Sequence, residues 1–265
     1  MNILVCFKVA PELDSLTPEE AKAIGEGCGD LRFAKLSWGV CDEAALECAL
    51  RLRDELIAQK TPVTLAAATV GACPQRFFTE LFAIGYDRVV QIPAEEDLSF
   101  APRRIAFALS RLAQSGEGFD LVLAGQQSSP GENAQVPGLL ASMLGIPYFG
   151  RTFDIACLKD GSVEVSSHAD LGWTRVGARL PALCALENAA HPFLRMALLK
   201  NRLGASKKTC EQFEFSAAPP ELKFEEPEVR LHYEHKRGNC RFLEAETPSE
   251  AAATLLSSIA REAML

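Results

Sequence analysis

The chain has 265 residues, enough for one large domain or one domain with appendages. Its 48% hydrophobic and 23% charged residues read as an ordinary soluble globular protein. The formal net charge of −8 argues against a general nucleic-acid or anionic-membrane surface, and no apolar run approaches the roughly 20 residues that span a bilayer.

The opening residues, Met1 to Lys8, are too short in apolar length for a signal peptide and pass straight into a strand pattern. Nine cysteines stand at scattered positions with no C-x-x-C pair, which points to reduced thiols and a cytoplasmic location. His232 and His235 with Cys240 lack a third ligand at a recognisable spacing, so no metal site is expected.

Residues 2–9 form a near-continuous apolar run, as a buried parallel strand does. Residues 10–40 lack clear periodicity and read as a long excursion, of the kind that is more often functional than idle. From Asp42 to about Gln59 an apolar stripe of Ala45, Cys48, Ala49, Leu52 and Leu56 predicts a helix that Asp42 can cap. A strand follows over 62–70, and then a helix over 74–84 that Gly85 ends. A short strand spans 88–92, a helix 102–113, and a strand 121–124. A loop over 125–136 then leads into a helix ending at Gly145.

This alternation predicts an α/β fold with a doubly wound, mostly parallel sheet of Rossmann type. Ligands in such folds sit at the carboxyl ends of the strands. Those ends are Cys6-Phe7-Lys8, Thr69-Val70-Gly71 and Ala124-Gly125-Gln126. The 125–136 loop joins a strand end to a helix start with small polar residues, a corner suited to a phosphate or nucleotide. It has no Lys and no G-x-G-x-x-G spacing, so it would bind mainly through backbone and amide groups. The plainer alternative is an ordinary connecting loop. Glu132, Asn133 and Gln135 would contact ribose or phosphate-bound water, or else cap the following helix.

Beyond residue 150 the pattern changes to short strands over 153–158, 162–167 and 175–179, with Asp160-Gly161 as a hairpin signal, and then an apolar run over 183–186. Residues 193–203 can form one helix. Residues 205–245 read as an extended arm, and 248–264 as a final amphipathic helix. The expected organisation is therefore a nucleotide-binding α/β domain over 1–204, with a β-rich addition at 151–187 and a segment at 187–201, followed by a C-terminal arm over 205–265.

Taken together, these segments resemble the beta subunit of electron-transfer flavoproteins. The likeness is carried by Ile3-Leu-Val-Cys-Phe-Lys8 and by Asp42-Glu-Ala-Ala-Leu-Glu-Cys-Ala-Leu-Arg-Leu52, similar to D-E-x-A-x-E-x-A-L-R-L. Ala83-Ile-Gly-Tyr-Asp-Arg88 is similar to A-x-G-A-D-R, and Asp120-Leu-Val-Leu-Ala-Gly-Gln-Gln127 to D-L-V-L-x-G-x-Q. Gly131-Glu-Asn-Ala-Gln-Val136 is similar to G-D-x-A-Q-V, and Asp170 through Ala182 echoes D-G-G…K-L-P-A. Order and spacing together make the likeness specific.

The resemblance implies an adenine nucleotide hydrolase-like fold and a heterodimer with a flavoprotein alpha subunit that holds the electron-carrying FAD. This chain would bind AMP, or a second FAD in members that bifurcate electrons. A dehydrogenase would be the redox partner, with no nucleic acid and no membrane insertion. By position, the cofactor contacts fall at Cys6, Val40, Cys41, Asp42 and Val70. They continue through Gly125, Gln126, Gln127, Ser128, Ser129, Pro130, Gly131, Glu132, Asn133, Ala134, Gln135 and Val136. The Ala-Gln-Val form of the loop is closer to the bifurcating branch. No catalytic residue is expected, because the flavin carries the chemistry.

Two departures stand out. The family's N-P-F-D is Gly39-Val-Cys-Asp42 here. The partner-recognition loop, usually N-E-P-R-Y-x-x-L-P, is Asn188 through Met196, with Phe193 in place of the aromatic residue and Met196 in place of the anchoring leucine. These departures support one alternative, a nucleotide-binding regulatory or assembly protein of the same fold without redox activity. A hydrolase of related fold would want a phosphate-gripping loop after the first strand, which Lys8-Val-Ala-Pro11 does not offer.

Overall fold

A computed structural model describes residues 1–25, 34–94, 98, 100–116, 118–129, 131–158, 160–170, 172–214, 242–243 and 245–262. The first strand, β1 (Asn2–Cys6), is followed by a short β2 (Val9–Pro11), a 3-10 turn (Leu13–Ser15), α1 (Pro18–Gly25) and β3 (Leu36–Trp38). Next come α2 (Val40–Ala58), β4 (Thr64–Val70), α3 (Gln75–Ile84), β5 (Arg88–Ile92), α4 (Pro102–Ala113), β6 (Leu121–Gly125) and α5 (Val136–Leu144). The remaining elements are β7 (Tyr148–Cys157), β8 (Val163–Ala169), β9 (Gly172–Ala178), β10 (Ala182–Leu186), α6 (Leu199–Ala205), β11 (Glu211–Gln212) and α7 (Pro248–Glu262).

One sheet of nine strands runs in the order β11-β5-β4-β1-β6-β10-β7-β8-β9. It is parallel from β11 to β7, and β7, β8 and β9 pair antiparallel. The expected doubly wound sheet is present. Strand β1 lies between β4 and β6, with Ile3 opposite Leu65 and Leu121. Its continuous apolar run follows from this position, because helices cover both faces. Side chains alternate between two cores. Ile3 and Val5 join α2 and α3 on one face, whereas Leu4 and Cys6 join α4 and α5 on the other. The chain runs from β1 to β4 and β5 on one side, then returns to place β6 on the other side of β1. Loops leaving β1 and β6 therefore diverge and open a crevice at that switch.

Apart from the helix expected over 193–203, the predicted helices and parallel strands occur within a few residues of their expected ends. Gly85 ends α3 in the left-handed region at φ 115°, where glycine alone is free of Cβ strain. The Asp160-Gly161 signal is a hairpin turn, with Ser162 donating from its backbone N–H (3.0 Å) and hydroxyl (2.6 Å) to Asp160 Oδ1.

Three expectations are corrected. The excursion over 10–40 contains an antiparallel β2–β3 pair and α1, with residues 26–33 outside the described ones. Trp38 anchors that pair edge-on against Phe7 (5.5 Å) and Phe77 (4.8 Å). The helix expected over 193–203 is confined to Leu199–Ala205. The segment before it is drawn onto α2 by Arg195, whose N–H and guanidinium both bind Glu47, and Leu198 is extended at ψ 145°. Finally, the body runs past residue 204. Ala205 and Cys210 are buried, Phe213 packs against the core beside α4, and β11 pairs with β5. Most of the expected arm, residues 215–241 with His232, His235 and Cys240, lies outside the described residues.

Candidate functional site

A cavity of about 660 Å³ opens at the carboxyl ends of β1, β4 and β6. This is a typical size for a small-molecule or cofactor site. Cys6, Phe7 and Lys8, then Thr69, Val70 and Gly71, then Ala124, Gly125 and Gln126 all form its wall. Every strand end singled out from the sequence therefore faces one space.

The start of α2 forms part of this wall. Its N-cap is Gly39, and Asp42 occupies the third helical position. The expected Asp42 cap does not form, since no side-chain hydrogen bond caps this helix. Instead Asp42 is buried, with 4% exposure, and its Oδ1 accepts the backbone N–H of Lys8 at 3.1 Å. Its Oδ2 is buried with no hydrogen-bond partner among the described residues. Burial pushes the carboxyl up to about 7, partly offset by the Lys8 N–H and ammonium. A Cβ on residue 39 would collide with Oδ2, so glycine there gives the carboxyl its room.

Gly125 explains how β6 and α2 approach so closely. A Cβ there would lie 3.0 Å from the Asp42 amide nitrogen and from the Cys41 carbonyl carbon. Cys41 packs against the backbone N–H groups of Gln127 and Gln126. Its thiol is pushed up by burial, which outweighs those donors.

The described residues of the 126–135 loop are held at several points. Gln126 donates its backbone N–H to Leu186 O at 2.9 Å, and its Oε1 accepts the Arg151 N–H (2.9 Å) and the Tyr148 hydroxyl (3.3 Å). The Lys8 ammonium donates to Ser129 O at 3.0 Å. Gly131 (φ 105°), Glu132 (φ 40°) and Ala134 (φ 54°) all occupy the left-handed region. For non-glycine residues this conformation costs on the order of 1 kcal/mol each, and it recurs at functional loops. Asn133 Oδ1 accepts the Gln135 N–H at 3.1 Å, so its carbonyl serves a local turn; the helix-capping role considered for Gln135 is absent, because no side chain caps α5.

Among the expected cofactor positions, Cys6, Asp42, Val70, Gly125, Gln126, Gln127, Ser128, Asn133, Ala134, Gln135 and Val136 form the wall. Val40, Cys41, Ser129, Gly131 and Glu132 stand behind or beside it, with Val40 72% exposed. Pro130 lies outside the described residues. The sequence reading did not single out the apolar half of the wall, made by Pro11, Leu36, Leu98, Phe100, Ile105 and Leu109. The usable signal was the loop after β5, a further parallel strand whose carboxyl end also faces the crevice.

On the far side of α2 lies the segment compared with a recognition loop. Phe193 and Met196 are exposed at 78% and 85%, and Leu198 and Leu199 extend the apolar surface. Among the described residues, no helix is long and apolar enough to cross a membrane.

Residues 40–218 match the electron transfer flavoprotein domain family. Over 269 aligned residues the chain is 27% identical to YgcR of Escherichia coli (strain K12), provisionally named an electron transfer flavoprotein subunit, covering 100% of this chain and 99% of that protein. It is 26% identical over 211 residues to the electron transfer flavoprotein subunit beta of Mycobacterium tuberculosis (strain ATCC 25618 / H37Rv), covering 78% of this chain and 76% of the relative. The Mycobacterium bovis (strain ATCC BAA-935 / AF2122/97) subunit beta gives the same figures. The chain belongs to the electron transfer flavoprotein family and is of its beta-subunit kind.

Proposed function

We propose that this chain is the nucleotide-binding subunit of a heterodimeric electron carrier. It would pair with an alpha subunit that holds the working FAD, and hold AMP or a second FAD in its own cavity. The carrying observation is the cavity itself. It joins three parallel strand ends, an amide-rich loop before α5 and the start of α2 in one space. The residues present suit an adenine nucleotide. Lys8 supplies a cation, the loop supplies backbone and amide groups for phosphates, and Phe100, Ile105 and Leu109 offer apolar surface to a planar ring.

Bound flavin supplies the electron chemistry. The protein's own part is to bind, orient and shield it. The exposed Phe193 and Met196 are the proposed contacts for a dehydrogenase partner. Co-expression with an alpha-type subunit tests the reading. A yellow, co-purifying heterodimer is expected; a folded but colourless chain that ignores the partner would favour a regulatory or assembly role instead.

A further inference from the structure

Among the described residues, Lys8 is the only cation in the cavity wall and Asp42 its only carboxylate. They are adjacent: the Lys8 N–H is on Asp42 Oδ1 at 3.1 Å. The other oxygen, Oδ2, is buried and has no partner among the described residues. A buried carboxylate oxygen without a donor keeps the full penalty of its lost hydration for as long as it is charged. A proton on Oδ2 removes that penalty.

An anion drawn to Lys8 arrives beside Asp42. Two like charges this close disfavour one another, and the buried carboxylate can relieve the repulsion by taking up a proton. We propose that the cavity takes up its anionic nucleotide together with one proton, which is held on the buried Asp42 Oδ2. This rests on the nucleotide reading above. The proton comes from solvent and no covalent bond changes. The other titratable groups around Asp42 are Cys6 on β1, Lys8 beyond it, and Cys41 and Glu43 on α2. Burial pushes the Cys6 thiol up to about 12 and raises Cys41, so both stay neutral near pH 7. Glu43 is raised by burial and by Glu80. Asp42, held at about 7, is the group placed to change charge on binding.

Titration calorimetry of the full chain with AMP, and in a second series FAD, tests this when run at pH 7 in two buffers of different ionisation enthalpy. Wild type is expected to take up protons that Asp42→Asn does not, and its apparent Kd should weaken about tenfold from pH 6 to pH 8. In Asp42→Asn that dependence should disappear, leaving only what the ligand's own phosphate contributes to both proteins. Asparagine keeps the acceptor for the Lys8 N–H, and the wild-type proton count stands without the variant. Equal proton counts and pH slopes in the two proteins, or proton release by wild type, would overturn the proposal while leaving nucleotide binding intact. No binding of either ligand to folded wild type would overturn both.

Discussion

Arg195 grips Glu47 across the body of the protein. Its Nη2 lies 2.7 Å from Oε1, its Nε 3.1 Å from both carboxylate oxygens, and its own backbone N–H donates to Oε2 at 3.0 Å. Nη1 reaches Asp54 at 2.6 Å. Burial opposes ionisation of Asp54, but the bonds from Arg195 and Arg53 outweigh it and hold the carboxyl below its usual range. Glu47 and Asp54 both belong to α2, the helix whose first turn carries Asp42. One rigid element thus connects the cavity to the segment that presents Phe193 and Met196.

Arg195→Ala leaves Glu47 buried, at 7% exposure, without its partner. Removing one member of such a pair costs about 2–4 kcal/mol, with some relief because Arg195 itself is partly exposed. Arg195→Lys should recover only part, since an ammonium cannot match the forked contact. Urea unfolding midpoints check both, and unchanged midpoints would show that the clamp contributes nothing.

Asp42→Asn should raise stability at high pH and not at low pH. The folded-state carboxyl sits near 7, above its ordinary value of 3.8. Its contribution is therefore fully present below pH 4 and is lost as pH rises through 7. An asparagine at this position carries no charge to bury, so the variant should gain up to about 4 kcal/mol over wild type at pH 8 and little at pH 4. Thermal melts at the two pH values measure the difference; a gain at pH 4 that shrinks toward pH 8 would contradict the sign.

Gly131→Val should damage the loop before α5 more than the fold. Residue 131 has φ 105°, and a Cβ there would come within 3.0 Å of Phe100 Cε1. Strain of about 1–3 kcal/mol falls on an exposed loop. Nucleotide retention should drop at least tenfold, while far-UV circular dichroism stays native. Full retention would remove this part of the loop from the site.

Two contacts should separate buried from exposed interactions. Tyr86 is buried and its hydroxyl donates to Leu46 O at 2.9 Å, so Tyr86→Phe should cost about 1 kcal/mol. Arg88 and Glu211 pair at 2.7 Å with side chains 48% and 47% exposed, so Glu211→Ala should cost roughly 0.5 kcal/mol or less. Denaturant titrations of both variants make the comparison.

The parallel sheet was legible because burial on both faces forces continuous apolar runs, such as Ile3-Leu-Val, while α2 announces itself by its stripe from Ala45 to Leu56. The cavity was half legible. Strand ends and the 125–136 loop follow from topology, and they meet as expected. Leu36, Leu98 and Phe100 were hidden because they sit in short or irregular stretches whose apolar residues have no period to detect. Asp42 looked like a helix cap because its residue type and position permit one. Only the packing of Lys8 and Gly39 around it shows a buried carboxyl with one oxygen unpartnered among the described residues. The shortening of the 193–203 helix was hidden because the Arg195–Glu47 clamp spans too much sequence to read from pattern.

The most direct measurement is to purify the chain with an alpha-type subunit, denature the complex and separate the released nucleotides by chromatography. One equivalent of FAD from the alpha subunit is expected, together with one equivalent of AMP or a second FAD that Gly131→Val reduces. A folded complex that releases no nucleotide beyond the alpha subunit's FAD would contradict the assignment of the cavity.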